Sequence, residues 1–253
     1  VDFSFIDPVT GNGLSILVDA GDGHDTIFSS LNLNDTLLGG DGDDTINRDP
    51  ASLFSGIVSI GNLTIDAGDG HDTVFGGEGN DTIVGGDGRD FVSGWLGDDS
   101  IDAGDGADFV DGGDGADLVR GSDGNDTLHG GPGTDTLIGE GGDDSIRGDA
   151  HSDQLFGDGG TATIPGNDTI EGGGSNDTII GGGGNDLLDG GRGNDLIDVS
   201  DKLLSVADVT VASEGDLGDV TMATFTVSLS GSSLLPVSVD FSTVDGTATR
   251  NRD

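Results

Sequence analysis

The chain has 253 residues, with 49 Asp plus Glu against 8 Lys plus Arg, and its formal charge of −41 is more than a compact domain holds without counter-ions. Phosphate recognition needs a basic patch, so nucleic acid is excluded as a direct partner, and an anionic membrane surface is disfavoured on the same ground. With no Cys, 51 Gly and 4% aromatic residues, disulfides, thiolate chemistry, Cys-based zinc sites and a layered core of large apolar side chains are all unexpected.

A run of about 18 apolar residues and a basic-then-apolar leader are both missing from this sequence, so membrane insertion is not expected. The first residue is Val1 rather than Met, which reads as a piece of something longer. Residues 1–19 hold the apolar run Leu14 to Val18 and are expected to form one or more capping strands.

From residue 20 to 198 a nine-residue period takes over. Asp recurs at Asp25, Asp35 and Asp44, then without a slip at Asp72, Asp81, Asp90, Asp99, Asp108, Asp117, Asp126, Asp135, Asp144 and Asp153, and finally at Asp168, Asp177, Asp186 and Asp195. Two residues after each Asp stands an aliphatic side chain, as at Ile27, Val74 and Ile197. Two residues before it stands Gly, except at Leu33, His151 and Ser175.

The unit is G-G-x-G-x-D-x-U-x, where U is aliphatic, and each part has a mechanical reason. The glycines permit a tight turn, and x-U-x is a three-residue strand with one side chain inward. Two nonads make one coil, and stacked coils make two parallel sheets whose inward Val, Ile and Leu form the core. Stacking also brings turns 18 residues apart into register on one edge, where carboxylates and main-chain carbonyls converge. Hard oxygen donors without nitrogen or sulfur select Ca²⁺ over transition metals, and flexible coordination by six to eight oxygens favours it over Mg²⁺.

Two inserts break the period. Residues 48–66 end in a restart, because Asp66 to Phe75 nearly repeats Asp19 to Phe28, and the apolar strand Leu63 to Ile65 before it reads as a coil without a calcium turn. Residues 157–165 add six to the period and contain Pro165, a bulged loop. The turn at His151 and Ser152 lacks its glycine, which puts the site shared by Asp153 in doubt.

Residues 20–198 resemble the RTX (repeats-in-toxin) family, as in GGEGNDTIV at Gly76 to Val84 and GGGGNDLLD at Gly181 to Asp189. The resemblance implies a right-handed parallel β-roll, export by a type I route and folding outside the cell. It implies calcium held by the 17 aspartates with turn carbonyls such as Gly76, Gly77, Gly79, Gly85, Gly86 and Gly88. Counting only enclosed turns within uninterrupted runs gives about 11 ions, fewer if the breaks distort their neighbours and more if the stack continues across them.

After Asp198 the glycines thin out. Residues 199–208 read as a linker, followed by apolar runs at Val209 to Val211, Thr224 to Leu229 and Val237 to Phe241. The marks S-E-G-D, P-V-S-V-D-F and D-G-T-A-T make 209–253 look like the first half of a Calx-β domain. That likeness implies an antiparallel immunoglobulin-like sandwich with Glu214, Asp245 and Asp253 as ligand candidates and an open strand edge. The expected fold class is thus all-β: a β-roll followed by a partial sandwich.

No catalytic constellation emerges. H-E-x-x-H and G-x-S-x-G are missing, and His24 and His71 share one turn position that reads as solvated. Outward positions hold Phe75, Phe91 and Phe109 on successive coils of one face, an aromatic stripe suited to a contact. The Thr column beside the Asp is broken by Phe91, Phe109 and Leu118, which removes a regular ice-binding lattice. The expected function is a calcium-folded structural or adhesive segment of a large secreted bacterial surface protein, such as an adhesin, S-layer or matrix fibre. The alternative is a non-catalytic carboxyl-side module of a secreted hydrolase, epimerase or cytolysin.

Overall fold

An aliphatic residue between two polar neighbours is the period-two pattern of a strand with one face buried. In the computed structural model, which describes residues 4–5, 17–27, 34–46, 61–159, 166–198, 203–205 and 228–229, each such aliphatic residue from Ile27 to Ile179 is at most 1% exposed. They form two facing columns that, with Leu63, Ala67 and Ala103, are the core. Val18, Leu188 and Ile197 pack against it at the ends.

The chain winds between a ten-stranded sheet (sheet 1) and a twelve-stranded sheet (sheet 2), visiting them alternately. Neighbouring strands are parallel up to Leu196–Asp198, which pairs antiparallel with Leu203–Ser205, itself antiparallel to Ser228–Leu229. Among the described residues there is no helix. The expected linker therefore contains a strand. Most of the expected sandwich, with Glu214, Asp245 and Asp253, lies outside the described residues.

Strands in the middle of the roll are longer than the three residues expected. Thr82–Gly88 has seven and Phe91–Leu96 six. The pairing continues into the turn, where Gly86 registers with Gly104 at a φ of 114° that favours glycine. Main-chain hydrogen bonds between coils thus hold the turn itself in register.

Both breaks are absorbed without loss of register. Thr64–Gly70 pairs in step with Thr36–Asp41 on one side and Thr82–Gly88 on the other. The first insert ends earlier than expected, since the roll resumes by Leu63, which is 1% exposed. Across the second insert Ser145 registers with Thr169 and Gln154 with Thr178. At the amino end Ser4–Phe5 pairs with Thr26–Ile27, and Leu17–Asp22 opens sheet 2. The expected Leu14 to Val18 strand falls only partly among the described residues.

Candidate metal centre

Parallel stacking with a coil of 18 residues fixes where every sixth-position Asp goes. The turns leaving sheet 1 carry Asp35, Asp81, Asp99, Asp117, Asp135, Asp153, Asp177 and Asp195 along one edge. Those leaving sheet 2 carry Asp25, Asp44, Asp72, Asp90, Asp108, Asp126, Asp144, Asp168 and Asp186 along the other. Except for Asp186 and Asp195 in the last coils, all are buried, at 3% exposure or less.

A buried carboxylate needs partners for both oxygens. One oxygen has them. Asp108 Oδ1 accepts the N–H of Asp90 at 2.8 Å, Asp126 Oδ1 accepts that of Asp108 at 2.9 Å, and so on along both edges. The ladder crosses the first insert from Asp44 to Asp72 and the second from Asp144 to Asp168. It also passes through the degenerate turn, where Asp153 accepts from Asp135 and donates to Asp177, so the doubt about that turn is not reflected in its geometry.

For most of them the other oxygen is a different matter. In thirteen of these aspartates, from Asp44 to Asp177, Oδ2 is buried without a hydrogen bond, and the cost of leaving a charged group so is several kcal/mol each. A positive ion is the remedy that these surroundings permit. A Cβ placed on Gly112 would stand 2.6 Å from Asp117 Oδ2 and 2.9 Å from the Gly130 carbonyl, so glycine here keeps open a space bordered by both oxygens. The same pairing of Oδ2 with a first-position carbonyl of the next coil recurs at Asp99 with Gly112 and Asp168 with Gly181. The carbonyls of Gly79, Gly86 and Gly88 face instead Gly97, Gly104 and Gly106 one coil on.

Among the described residues no three His, Cys, Asp or Glu side chains converge on one point. The donor set is one carboxylate oxygen per step completed by main-chain carbonyls, all hard oxygen, which suits Ca²⁺. Burial also marks the carboxylates themselves. It pushes Asp99 and Asp108 up to about 7 and Asp144 up to about 8, against the hydrogen bond each accepts and with help from neighbouring aspartates. Asp126 and Asp135 are pushed to about 6 for the same first reason.

Two features escaped the sequence and a third was legible only in part. First, a second, interrupted ladder runs along the exposed lip of each edge in the opposite direction: where the residue before the Asp slot is Asn, Asp, His or Ser, its side chain accepts from the N–H one coil later, whereas Arg89, Ala107 and Ala116 offer no acceptor. Asn62 accepts from Asn80 at 3.0 Å and Asn80 from Asp98 at 3.1 Å. Second, His24 and His71 belong to this ladder. Nδ1 of His24 accepts from Asp43 at 2.7 Å and Nδ1 of His71 from Arg89 at 2.8 Å, so they bridge coils as well as facing solvent.

Third, Leu63 occupies the slot of a sixth-position Asp. Its N–H donates to Asp81 Oδ1 at 2.7 Å as an aspartate's would, yet it brings no carboxylate. The sheet 1 edge thus has a step without an acid between Asp35 and Asp81. Leu63→Asp is expected to raise the calcium stoichiometry by one, measured by calorimetric titration with metal analysis of the loaded protein. An unchanged stoichiometry would show that the vacancy is not what limits binding there.

Fold and edges together define a calcium-type β-roll. The family model of the RTX calcium-binding nonapeptide repeat matches residues 32–49, 66–101, 96–128, 129–164 and 165–197, and the chain belongs to that family. Its repeats bind calcium and form a structural module typical of secreted bacterial proteins. Comparison with curated proteins returns no significant match.

Proposed function

We propose that the chain is a calcium-dependent structural or adhesive segment of a large secreted bacterial surface protein, without catalytic activity of its own. The observation that carries this is the file of buried Oδ2 atoms along both edges. Uncompensated, they oppose folding and keep the chain extended for a type I export route. In a calcium-rich exterior, metal binding becomes folding free energy. Fourteen Asp-to-Asp steps, eight on the sheet 2 edge from Asp25 to Asp186 and six on the sheet 1 edge from Asp81 to Asp195, offer room for more than the eleven ions expected from uninterrupted runs. Fourteen divalent ions bring 28 positive charges against the formal −41.

The finer parts of the reading rest on sequence. Residues 20–198 act as the rod, and 209–253 act as a partial Calx-β-like module with Glu214, Asp245 and Asp253 as its calcium ligands. Tandem modules of this kind suit an adhesin, S-layer or matrix fibre. Self-association through Phe75, Phe91 and Phe109, or through the open strand edge of the half-sandwich, fits the same role.

The test is far-UV circular dichroism with small-angle scattering, titrating the metal-depleted chain with Ca²⁺ and, as control, Mg²⁺. A cooperative collapse to a β rod that Mg²⁺ does not reproduce is expected. A chain equally folded in chelator would remove the switch.

A further inference from the structure

Charge is not spread evenly around the roll. From Thr73 to Arg147 the residues flanking each inward aliphatic side chain of sheet 1 include one acid, Asp111, and one base, Arg147, which pairs with Asp149 at 2.6 Å. From Thr82 to Phe156 those of sheet 2 hold Asp102 against Arg120. The other acids of these coils lie on the turns and on the strand ends that run into them, such as Asp87, Asp105 and Asp114, so charge repulsion is strongest along the edges and weakest at the middle of each face.

Each face also carries an apolar column. On sheet 1, Phe91 registers with Phe109 and their rings stack 5.3 Å apart at 3°. Phe75, which registers with Ser93 and so sits two residues further along its strand, leans on Phe91 at 5.8 Å, and His129 meets Phe109 edge-on at 5.3 Å. Because the rings cover one another's faces, the ridge presents ring edges. That is unlike a sugar-stacking platform, which needs open ring faces, and it suits an apolar sheet.

Sheet 2 supplies such a surface. Ile138, Phe156 and Ile180 register on three successive strands; one strand earlier the residue in register is Arg120, with Leu118, 36% exposed, two residues before it on the same outward face. Ridge and column are each four strands long and share the strand spacing of about 4.8 Å, so they match rung for rung. With the two roll axes antiparallel, the Phe109 end of one meets the Leu118 end of the other. Asp111 then lies near Arg120, whose side chain is 46% exposed although it pairs with Glu140 at 2.9 Å.

We infer that sheet 1 of one copy docks on sheet 2 of a second copy of this chain through these columns. Such a contact is heterologous: each copy keeps one face open, and assembly continues into a fibre or layer. The inference rests on the calcium-folded reading, since the faces exist only in the folded roll and bound calcium lowers the charge that keeps copies apart.

The test is sedimentation velocity of the whole chain in saturating calcium over a wide concentration range, with circular dichroism on the same samples. Phe91→Thr with Phe109→Thr removes the ridge while restoring the Thr that the column carries at Thr45, Thr73 and Thr127; Ile138→Thr with Phe156→Thr removes the receiving face. Concentration-dependent growth is expected for the parent chain, and each double variant should associate at least roughly tenfold more weakly. An equimolar mixture of the two should form a dimer that does not extend, because one intact pair of faces remains. A parent chain that is folded but monomeric throughout, with the ridge free or covered by its own segments, overturns the inference. So does a sheet 2 variant that associates like the parent, which would mean ridge-to-ridge pairing. A chain without a calcium-induced β signal would instead remove the reading beneath it, and the inference with it.

Discussion

Replacing Asp108 and Asp126 together by Ala is expected to lower the calcium stoichiometry by at least two and to split the roll into two separately melting parts. Each residue has two tasks. Oδ1 of Asp108 satisfies the buried N–H of Asp90 and Oδ1 of Asp126 that of Asp108, while both Oδ2 atoms lack any partner but a cation. Alanine removes both oxygens, so two main-chain donors are orphaned at about 1–3 kcal/mol each, and two steps of one edge lose their carboxylate. Because each coil contacts only its neighbours, damage in the middle uncouples the flanks without dissolving them.

Asn at the same two positions separates the tasks. Its carbonyl can take the place of Oδ1 in the ladder, but it brings no charge for the ion. The Asn pair is expected to lose the same number of ions as the Ala pair, yet to melt at a higher temperature than it in saturating calcium. If calorimetric titration of either pair returns the parent stoichiometry, these aspartates are not ligands.

Why the sequence is so readable here is a matter of physics. Core and ion sites are rebuilt in every coil, so Ile83, Ile101 and Val119 recur for the same reason as Asp81, Asp99 and Asp117, and one period reports both. The coil without a calcium turn at Leu63 to Ile65 was legible, but that Leu63 itself fills an Asp slot escaped, because a search for periodic Asp passes over it. The signal was nonetheless present in Gly61-Asn62-Leu63-Thr64-Ile65, which keeps the fourth-position Gly, the polar residue before the slot and the aliphatic residue two after it. The lip ladder escaped because Asn, Asp and His before the Asp look like ordinary turn residues until stacking puts Asn62 under Asn80. Sheet 2's apolar column was hidden by the second insert, since Phe156 and Ile180 are 24 residues apart and register only once its six extra residues are looped out.

Acid is expected to substitute in part for calcium. In the metal-free fold, burial raises Asp72, Asp99, Asp108 and Asp153 to about 7 and Asp144 to about 8, from an ordinary value of 3.8. A folded-state value above the unfolded one means that the native chain binds more protons between the two. The stability contributed by protonation is therefore fully present below the ordinary carboxylate value and is lost as pH rises through about 6 to 8. The metal-depleted chain should thus hold more β structure at about pH 5, just above its isoelectric point of 4.1, than at about pH 8, where these carboxylates are charged, buried and unneutralised. Saturating calcium should flatten that dependence, because the ion stabilises the charged form. Circular dichroism of the depleted and loaded chains across this interval is the measurement. A depleted chain that gains β structure on going from acid to neutral pH would mean that burial does not set the charge state of these residues, and that the force opposing the metal-free fold lies elsewhere.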